Sequence, residues 1–186
     1  MRDNVQVICA TRKMAHQINT IVQDAVNPNP FLFWQGKKTY FKIDDPVIFT
    51  RNDSELGVQN GLLGRIVGFD EENDIVYVRR DILADEGDGL VSLEHFYDLE
   101  LAYAITLHKA QGSQFHTVIV AIEDNPRLVD NSWIYTAAIR TVEKLIIVGT
   151  QKAFTEAIVR PSAAEKRQVY LSKLIERLSE VDANID

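Results

Sequence analysis

Residues 101–122, LAYAITLHKAQGSQFHTVIVAI, decide the fold. Two apolar, β-branched runs, Leu101 to Thr106 and Thr117 to Ile122, flank a polar segment containing Gly112, and such runs read as strands covered on both faces. A polar loop directly after a buried strand is where an α/β sheet presents backbone and side chains to ligands. Thr106 and Ser113 supply hydroxyls, His108 and Lys109 supply hydrogen-bond donors, and Gly112 lets backbone approach a phosphate closely. The stretch holds no acid, whereas Asp81 to Glu100 holds seven acids and no Lys or Arg. The net charge of −7 argues against a general nucleic-acid coat, yet its acidity is local and avoids this loop.

Outward from that core, Val5 to Ala10 is short, apolar and β-branched, a further buried strand. Met14, Ile18, Ile21, Val22 and Ala25 then fall at helical spacing, with Thr11 as N-cap and Asn27-Pro28-Asn29-Pro30 as the stop. Downstream, Ser132 to Thr141 reads as a helix carrying Arg140, Lys144 to Gly149 as a strand, and Gln151 to Val159 as a helix. A last amphipathic helix, about 162–181, is expected to dock on the body through Val169, Leu171, Leu174, Ile175 and Leu178, with Ser162 and Glu165 at capping-box spacing. Between Phe31 and Arg79 the pattern changes. The aromatic FLFW, expected to join two domains as a buried cluster, is followed by β-like runs at Thr39 to Ile43, Val47 to Arg51, Arg65 to Phe69 and Ile75 to Arg79. Asn60-Gly61 reads as a two-residue hairpin turn, and Gly64 and Gly68 suit bulges or tight corners. Strands this short and regularly interrupted predict a small antiparallel barrel over residues 36–95, inserted in a discontinuous α/β domain of residues 1–30 and 96–186.

At 186 residues and 46% hydrophobic, the chain is long enough to bury a sizeable core. Its single cysteine, Cys9, lies within the first apolar run and reads as a buried thiol, which leaves no disulfide and no cysteine zinc site. No signal peptide is evident, and no apolar run approaches the roughly 18 residues that a membrane span needs. A cytoplasmic protein without a membrane partner is expected.

Residues 101–122, together with IYTAAIRTVEKLIIVG at 134–149, resemble motifs V and VI of superfamily 1 helicases, specifically the RecD/TraA-like branch with AYAxTxHKxQGSEF and YTAxTRA. Thr11-Arg12 with Asn19 resembles motif IV, and RNDSELGVQNGLLGRIVGFD at 51–70 is similar to the RNDxxxGxxNGxxGxI pattern of the same family. The resemblance implies a RecA-like, P-loop NTPase-type parallel sheet (domain 2A) with an SH3-like barrel (domain 2B) inserted. It also implies the C-terminal motor half of an ATP-dependent 5′-to-3′ DNA helicase of superfamily 1B. By itself, Arg140 would be a surface ion-pair partner and Arg12 a solvated helix-start arginine. The resemblance instead sends both to the γ-phosphate of ATP, Arg140 as the catalytic group, and sets Gly112 and Gln114 near the nucleotide. It turns Thr106, His108, Lys109 and Ser113 toward single-stranded DNA, and Arg51 and Asn52 are candidate DNA contacts from the insert. The chain departs from the family where Gln114 replaces a glutamate, Ile139 a Ser or Thr, and Thr141 an Ala.

The sequence has no GxxxxGK[ST] loop and no acidic Walker B pair followed by a glutamine. The groups that hold ATP phosphates and Mg2+ are therefore expected on a preceding RecA-like domain of the same protein, and this chain alone is expected to be inactive. Recombination-repair or conjugation subunits are the further partners the resemblance implies, without a choice between them. A non-enzymatic nucleic-acid or protein-binding module, with the barrel carrying the interaction, is the rival reading.

Overall fold

The computed structural model describes residues 5–81, 89–125 and 127–162. The expected final helix, Glu165 included, lies outside these apart from Ser162. A parallel sheet in the order β11-β10-β1-β9 is built from β1 (Val5–Cys9), β9 (Ala104–Thr106), β10 (Phe115–Ala121) and β11 (Thr141–Val148). β1 lies between β10 and β9, with Ile8 level with Val120 on one side and Ile105 on the other. On one face Ile8, Val118 and Val120 pack with Ala137, Ala153 and Ala157, small residues that let α2 (Asn131–Ala138) and α3 (Gln151–Val159) come close. On the other face Cys9 and Ala121 meet Ala15 of α1 (Arg12–Val26).

The helices start where side chains can cap them. Thr11, Asp130 and Thr150 accept from the backbone N–H groups of Met14, Trp133 and Ala153. The buried face of α1 differs from the expected one: Ala15, Asn19 and Gln23 are buried, Ile21 is 69% exposed and Ala25 is exposed. Met14 and Ile18 pack, partly buried, against Cys9, Ala15 and Ala121 as expected, and carbonyls and a carboxylate that receive Asn19 and Gln23 turn the rest of the face inward.

The second sheet is antiparallel and five-stranded, in the order β7-β6-β5-β4-β8. It comprises β4 (Pro46–Phe49), β5 (Leu63–Asp70), β6 (Ile75–Arg80), β7 (Leu90–Leu93) and β8 (Leu99–Leu101), and a hairpin of β2 (Phe31–Trp34) and β3 (Lys37–Lys42) precedes it. Among the described residues no pairing joins β7 to β8, so the hydrogen-bonded sheet is open. Its core is Phe41, Val47, Phe49, Ile66, Val76, Val78, Phe96 and Leu99. Of the FLFW segment only Leu32 is fully buried; Phe33 is exposed and Trp34 stands edge-on to Tyr97, so the segment belongs to this core and its rim. The register shifts between Ile66 and Gly68, the expected bulge, and at Gly64 a Cβ would lie 2.9 Å from the Arg79 carbonyl oxygen.

Two expectations need correction. The single strand read over Leu101 to Thr106 is two: Leu99–Leu101 pairs antiparallel with β4, the chain turns at Ala102 and Tyr103, and Ala104–Thr106 pairs parallel with β1. The antiparallel sheet thus runs past residue 95, and a continuous apolar run conceals the switch between sheets because both halves are buried. Asn60-Gly61 is also not a two-residue hairpin turn. It closes the longer connection from β4 to β5, which carries its own Asp53–Val58 bridge.

The two sheets share a wall and a polar seam. Ile48 of β4 faces the core of the parallel sheet while Val47 and Phe49 face the other. Beneath it Asp45, fully buried, accepts from Gln23 Nε2 (2.5 Å), Asn27 Nδ2 (2.7 Å), the Lys42 N–H (2.7 Å) and the Tyr103 hydroxyl (2.8 Å). Asn19 donates to the Leu101 and Ala104 carbonyls and accepts from the Ala104 N–H. A buried carboxylate without donors would be strongly destabilising; four of them satisfy it and pin α1, β9 and the antiparallel sheet together. Burial and the Asp45 carboxylate hold the Tyr103 phenol well above its usual range, so it remains a donor.

Candidate functional site

The segment from Thr106 to Gln114 leaves the C-terminal end of β9 and crosses the parallel sheet to enter β10. The Thr106 carbonyl accepts from the N–H groups of Lys109 and Ala110, and Leu107 and Ala110 anchor the crossing in the core. Gly112 has φ +89°, left-handed backbone that favours glycine, although no neighbour lies within 4 Å of a built Cβ. Conformation, not crowding, demands glycine here. His108 is exposed, while Lys109 is mostly covered and pairs with Glu100 at 2.7 Å.

Arg140 lies just beyond α2, whose C-cap is Ile139, and not within the helix as expected. Its backbone joins the sheet edge, for its carbonyl accepts from the Phe115 N–H. Its guanidinium donates to the Ser113 carbonyl at 3.4 Å, which ties the second motif to the end of the first. Its Nε is buried without a partner among the described residues, as is the hydroxyl of the neighbouring Thr141. Tyr135 is 67% exposed, and Thr136 returns its hydroxyl to the Ser132 carbonyl.

Three clefts surround the loop. A groove of about 680 Å³ is lined by Arg12, Gln59, Asn60, His108, Lys109 and Gly112, among others, and none of its lining residues is acidic. A second pocket, about 290 Å³, adjoins it through Arg12 and Lys109 and includes His16, Tyr40, Glu100 and Thr106. Burial, aided by Glu100, raises the Tyr40 phenol above its usual range. A third cleft, about 310 Å³, holds Arg140, His108, Gln111 and Trp133. His108 and Gln111 line the first and third clefts; Arg12 and Arg140 share none of the three.

Ser113 meets the site through its backbone, its N–H donating to the Ala110 carbonyl and its carbonyl accepting from Arg140, and Gln114 is exposed outside all three clefts. Arg51 pairs with Asp98 at 3.1 Å, and Asn52 accepts from the Asn60 N–H at 2.7 Å; neither lines a cleft, so the structure does not bring them to the loop. Sequence reading missed Gln59, Asn60 and Gln111. The Asn60-Gly61 pair was the available signal, since Gly61 (φ +93°) lies where a Cβ would be 3.9 Å from the Lys109 carbonyl. Cys9 lies beneath the loop, level with Thr106 and with its carbonyl accepting from the Leu107 N–H, but its thiol is buried: burial, then Glu123, raises it to about 11 against a weaker opposing hydrogen bond at Thr11. Among the described residues no three His, Cys, Asp or Glu side chains converge as a metal site, and no helix is long and apolar enough to cross a membrane.

Residues 101–148, the span from β8 through β11, match the family model of the UvrD-like helicase C-terminal domain. A RecBCD enzyme subunit RecD of Buchnera aphidicola subsp. Schizaphis graminum is 24% identical over 84% of the chain. Over residues 101–148 the chain is similar to helicase C-terminal domains, and over most of its length to RecD. An ATP-dependent RecD2 DNA helicase of Deinococcus radiodurans is 29% identical over 72% of the chain. The chain spans only 27% and 17% of the lengths of these two relatives. A Bacteroides Pif1 helicase, solved with ADP-AlF3 and ssDNA, matches the fold over 99% of this chain and 47% of its own, with a TM-score of 0.62 at 21% identity.

Proposed function

We propose that this chain is the second motor half of an ATP-dependent DNA helicase that moves 5′-to-3′ on a single strand. The parallel sheet with its helices would form its RecA-like domain 2A, and the antiparallel sheet, β8 included, its SH3-like domain 2B. The observation that carries the reading is the junction of Arg140 with the loop: a guanidinium anchored on the Ser113 carbonyl with one buried nitrogen unpaired. A buried donor left without a partner is costly, and an anion at that edge would satisfy it. ATP supplies the phosphoryl group whose transfer to water drives the motor.

The family resemblance assigns the roles. Arg140 holds the terminal phosphate oxygens through its planar fork and stabilises charge that grows during transfer. Gly112 and Gln114 lie toward the nucleotide, with Gln114 retaining an acceptor without the charge of a glutamate. Thr106, His108, Lys109 and Ser113 face the strand. Arg12 lies across the loop from Arg140, on the groove with His108 and Lys109, so its phosphate partner is either the nucleotide after domain closure or the strand itself. Mg2+ and the remaining phosphate contacts belong to a preceding RecA-like domain, the principal partner. Recombination repair and conjugation remain the two settings for the whole protein, in the cytoplasm.

The test is made on the whole protein. His108→Ala is expected to weaken binding of a single-stranded oligonucleotide by about tenfold, one hydrogen bond to a charged group, with ATP affinity nearly unchanged. DNA-stimulated ATP hydrolysis should be absent from the isolated chain and present in the whole protein. A whole protein that binds DNA or a protein partner without hydrolysing ATP would replace the motor by a binding module.

A further inference from the structure

Tyr97 stands in a patch on the antiparallel sheet that takes no part in the proposed motor. It is 72% exposed; its ring meets Trp34 edge-on with centroids 5.1 Å apart, and meets His95 at the same separation, tilted by 36°. Seven buried side-chain polar atoms lack a hydrogen-bond partner among the described residues, and three of them fall here: the Trp34 indole N–H, His95 Nδ1 and Asp98 Oδ1. Asp98 Oδ1 is 3.1 Å from Arg51 Nε without being aligned as a hydrogen bond, and His95 Nε2 is 3.9 Å from the other oxygen. A buried donor or acceptor left unpaired is costly. Three in one patch, beside an exposed aromatic ring, mark a surface completed from outside.

What completes it must offer an acceptor to the Trp34 N–H, apolar surface to the rings of Trp34 and Tyr97, and positive charge toward Asp98. An extended proline-rich chain supplies the first two, because its rings lie against aromatic faces while its carbonyls stay free to accept. Single-stranded nucleic acid also stacks on aromatic rings. Its phosphates are disfavoured here, since the run from Asp81 to Glu100 that carries His95, Tyr97 and Asp98 holds seven acids and no Lys or Arg. The neighbouring cations are Arg51, held by Asp98, and Lys37, opposite Trp34 across the β2-β3 hairpin. We infer that Trp34, His95, Tyr97 and Asp98 form a docking site for a proline-rich, basic segment of a partner protein. A proline ring displaces Tyr97 to lie on Trp34, and a peptide carbonyl accepts from the indole N–H. None of the four residues lines a cleft around the 106–114 loop, so docking leaves the motor site free.

The test uses the whole protein and a fluorescein-labelled decaproline with an arginine at each end, followed by anisotropy. The same peptide with alanine for proline should bind roughly tenfold more weakly or worse. Tyr97→Ala, at an exposed position, should weaken binding of the proline peptide roughly tenfold, the loss of an aromatic anchor. Trp34→Phe keeps a ring and removes the N–H, and should cost roughly fivefold, one neutral hydrogen bond. DNA-stimulated ATP hydrolysis should be unchanged in both variants. No binding of the proline peptide below about 1 mM, equal affinity for the alanine peptide, or undiminished binding by either variant overturns the inference. So does a photocrosslinking p-benzoylphenylalanine at position 97 that captures oligo(dT) in preference to the peptide, which would make the patch a nucleic-acid surface.

Discussion

The seam at Asp45 and the junction at Arg140 are both places where the fold buries polar atoms of charged side chains, all of the first and one nitrogen of the second, and they are finished differently. Asp45 has four donors around it. Arg140 has one long contact to Ser113 and a buried Nε with none. Both lie where two pieces of structure meet, so position alone does not separate them; hydrogen-bond satisfaction does. A fully partnered group fixes geometry and has nothing left for a ligand. A preorganised but incomplete one holds donors where charge can be received.

The comparison breaks most sharply at Arg140. Arg140→Lys in the whole protein should fold normally yet lose about 10³-fold or more in DNA-stimulated turnover, by analogy with arginine fingers in phosphoryl transfer. ATP affinity should fall much less, because the contact strengthens as charge develops. Steady-state hydrolysis beside nucleotide titration measures both. Turnover at the wild-type level, or a loss matched by lower thermal stability, would make Arg140 a packing residue like those of the seam.

At the seam the expected loss is of stability. Asp45→Ala strands four donors in a buried place, and at about 1–3 kcal/mol for each group left unsatisfied the fold should lose on the order of 3 kcal/mol or more. Chemical denaturation should show the whole effect. A variant as stable as wild type would mean that water replaces the carboxylate and that the seam does not fasten the sheets.

How these regions read from sequence follows the same division. The loop at 106–114 and the helix before Arg140 were legible as elements of the fold because a polar, glycine-containing segment between apolar strands marks a connection and the Ser132 to Ala138 pattern a helix. The seam was illegible: Asn19, Gln23 and Asn27 fall at helical spacing, but three amides on a stripe look solvated until Asp45 and the 101–104 carbonyls are seen opposite. The split of Leu99 to Thr106 between two sheets was hidden because both halves are apolar. Arg51 and Asn52 entered as candidate contacts from the insert, whereas their partners, Asp98 and the Asn60 N–H, were not legible because they lie far along the chain or in the backbone.

A smaller effect is expected at Gly112. Alanine there must adopt φ +89° but meets nothing within 4 Å, so the cost is conformational, about 1–2 kcal/mol. Gly112→Ala should lower stability by that amount at most. Strand binding or hydrolysis should suffer more than stability if the loop must keep its shape to act. Equal, small losses in all three would show that the loop tolerates a changed backbone and place it nearer the seam in character.

The smallest effect is at Cys9, which tests whether the sheet under the site is as closed as the seam. With its thiol raised to about 11, Cys9 stays neutral through pH 7–9, and a thiol-specific reagent at pH 8 should label it far more slowly in the native chain than after unfolding. The linkage has a definite sign. Because the folded value lies above the ordinary one of 9.0, the contribution to stability is full below that value and is lost as pH rises through about 11. Denaturation midpoints should therefore decline across that interval more in wild type than in Cys9→Ala, whose own loss from the smaller side chain does not vary with pH. Rapid native labelling at pH 8 would show that β1 opens readily beneath α1, and the contrast between a sealed scaffold and an unfinished site would narrow to Arg140 alone.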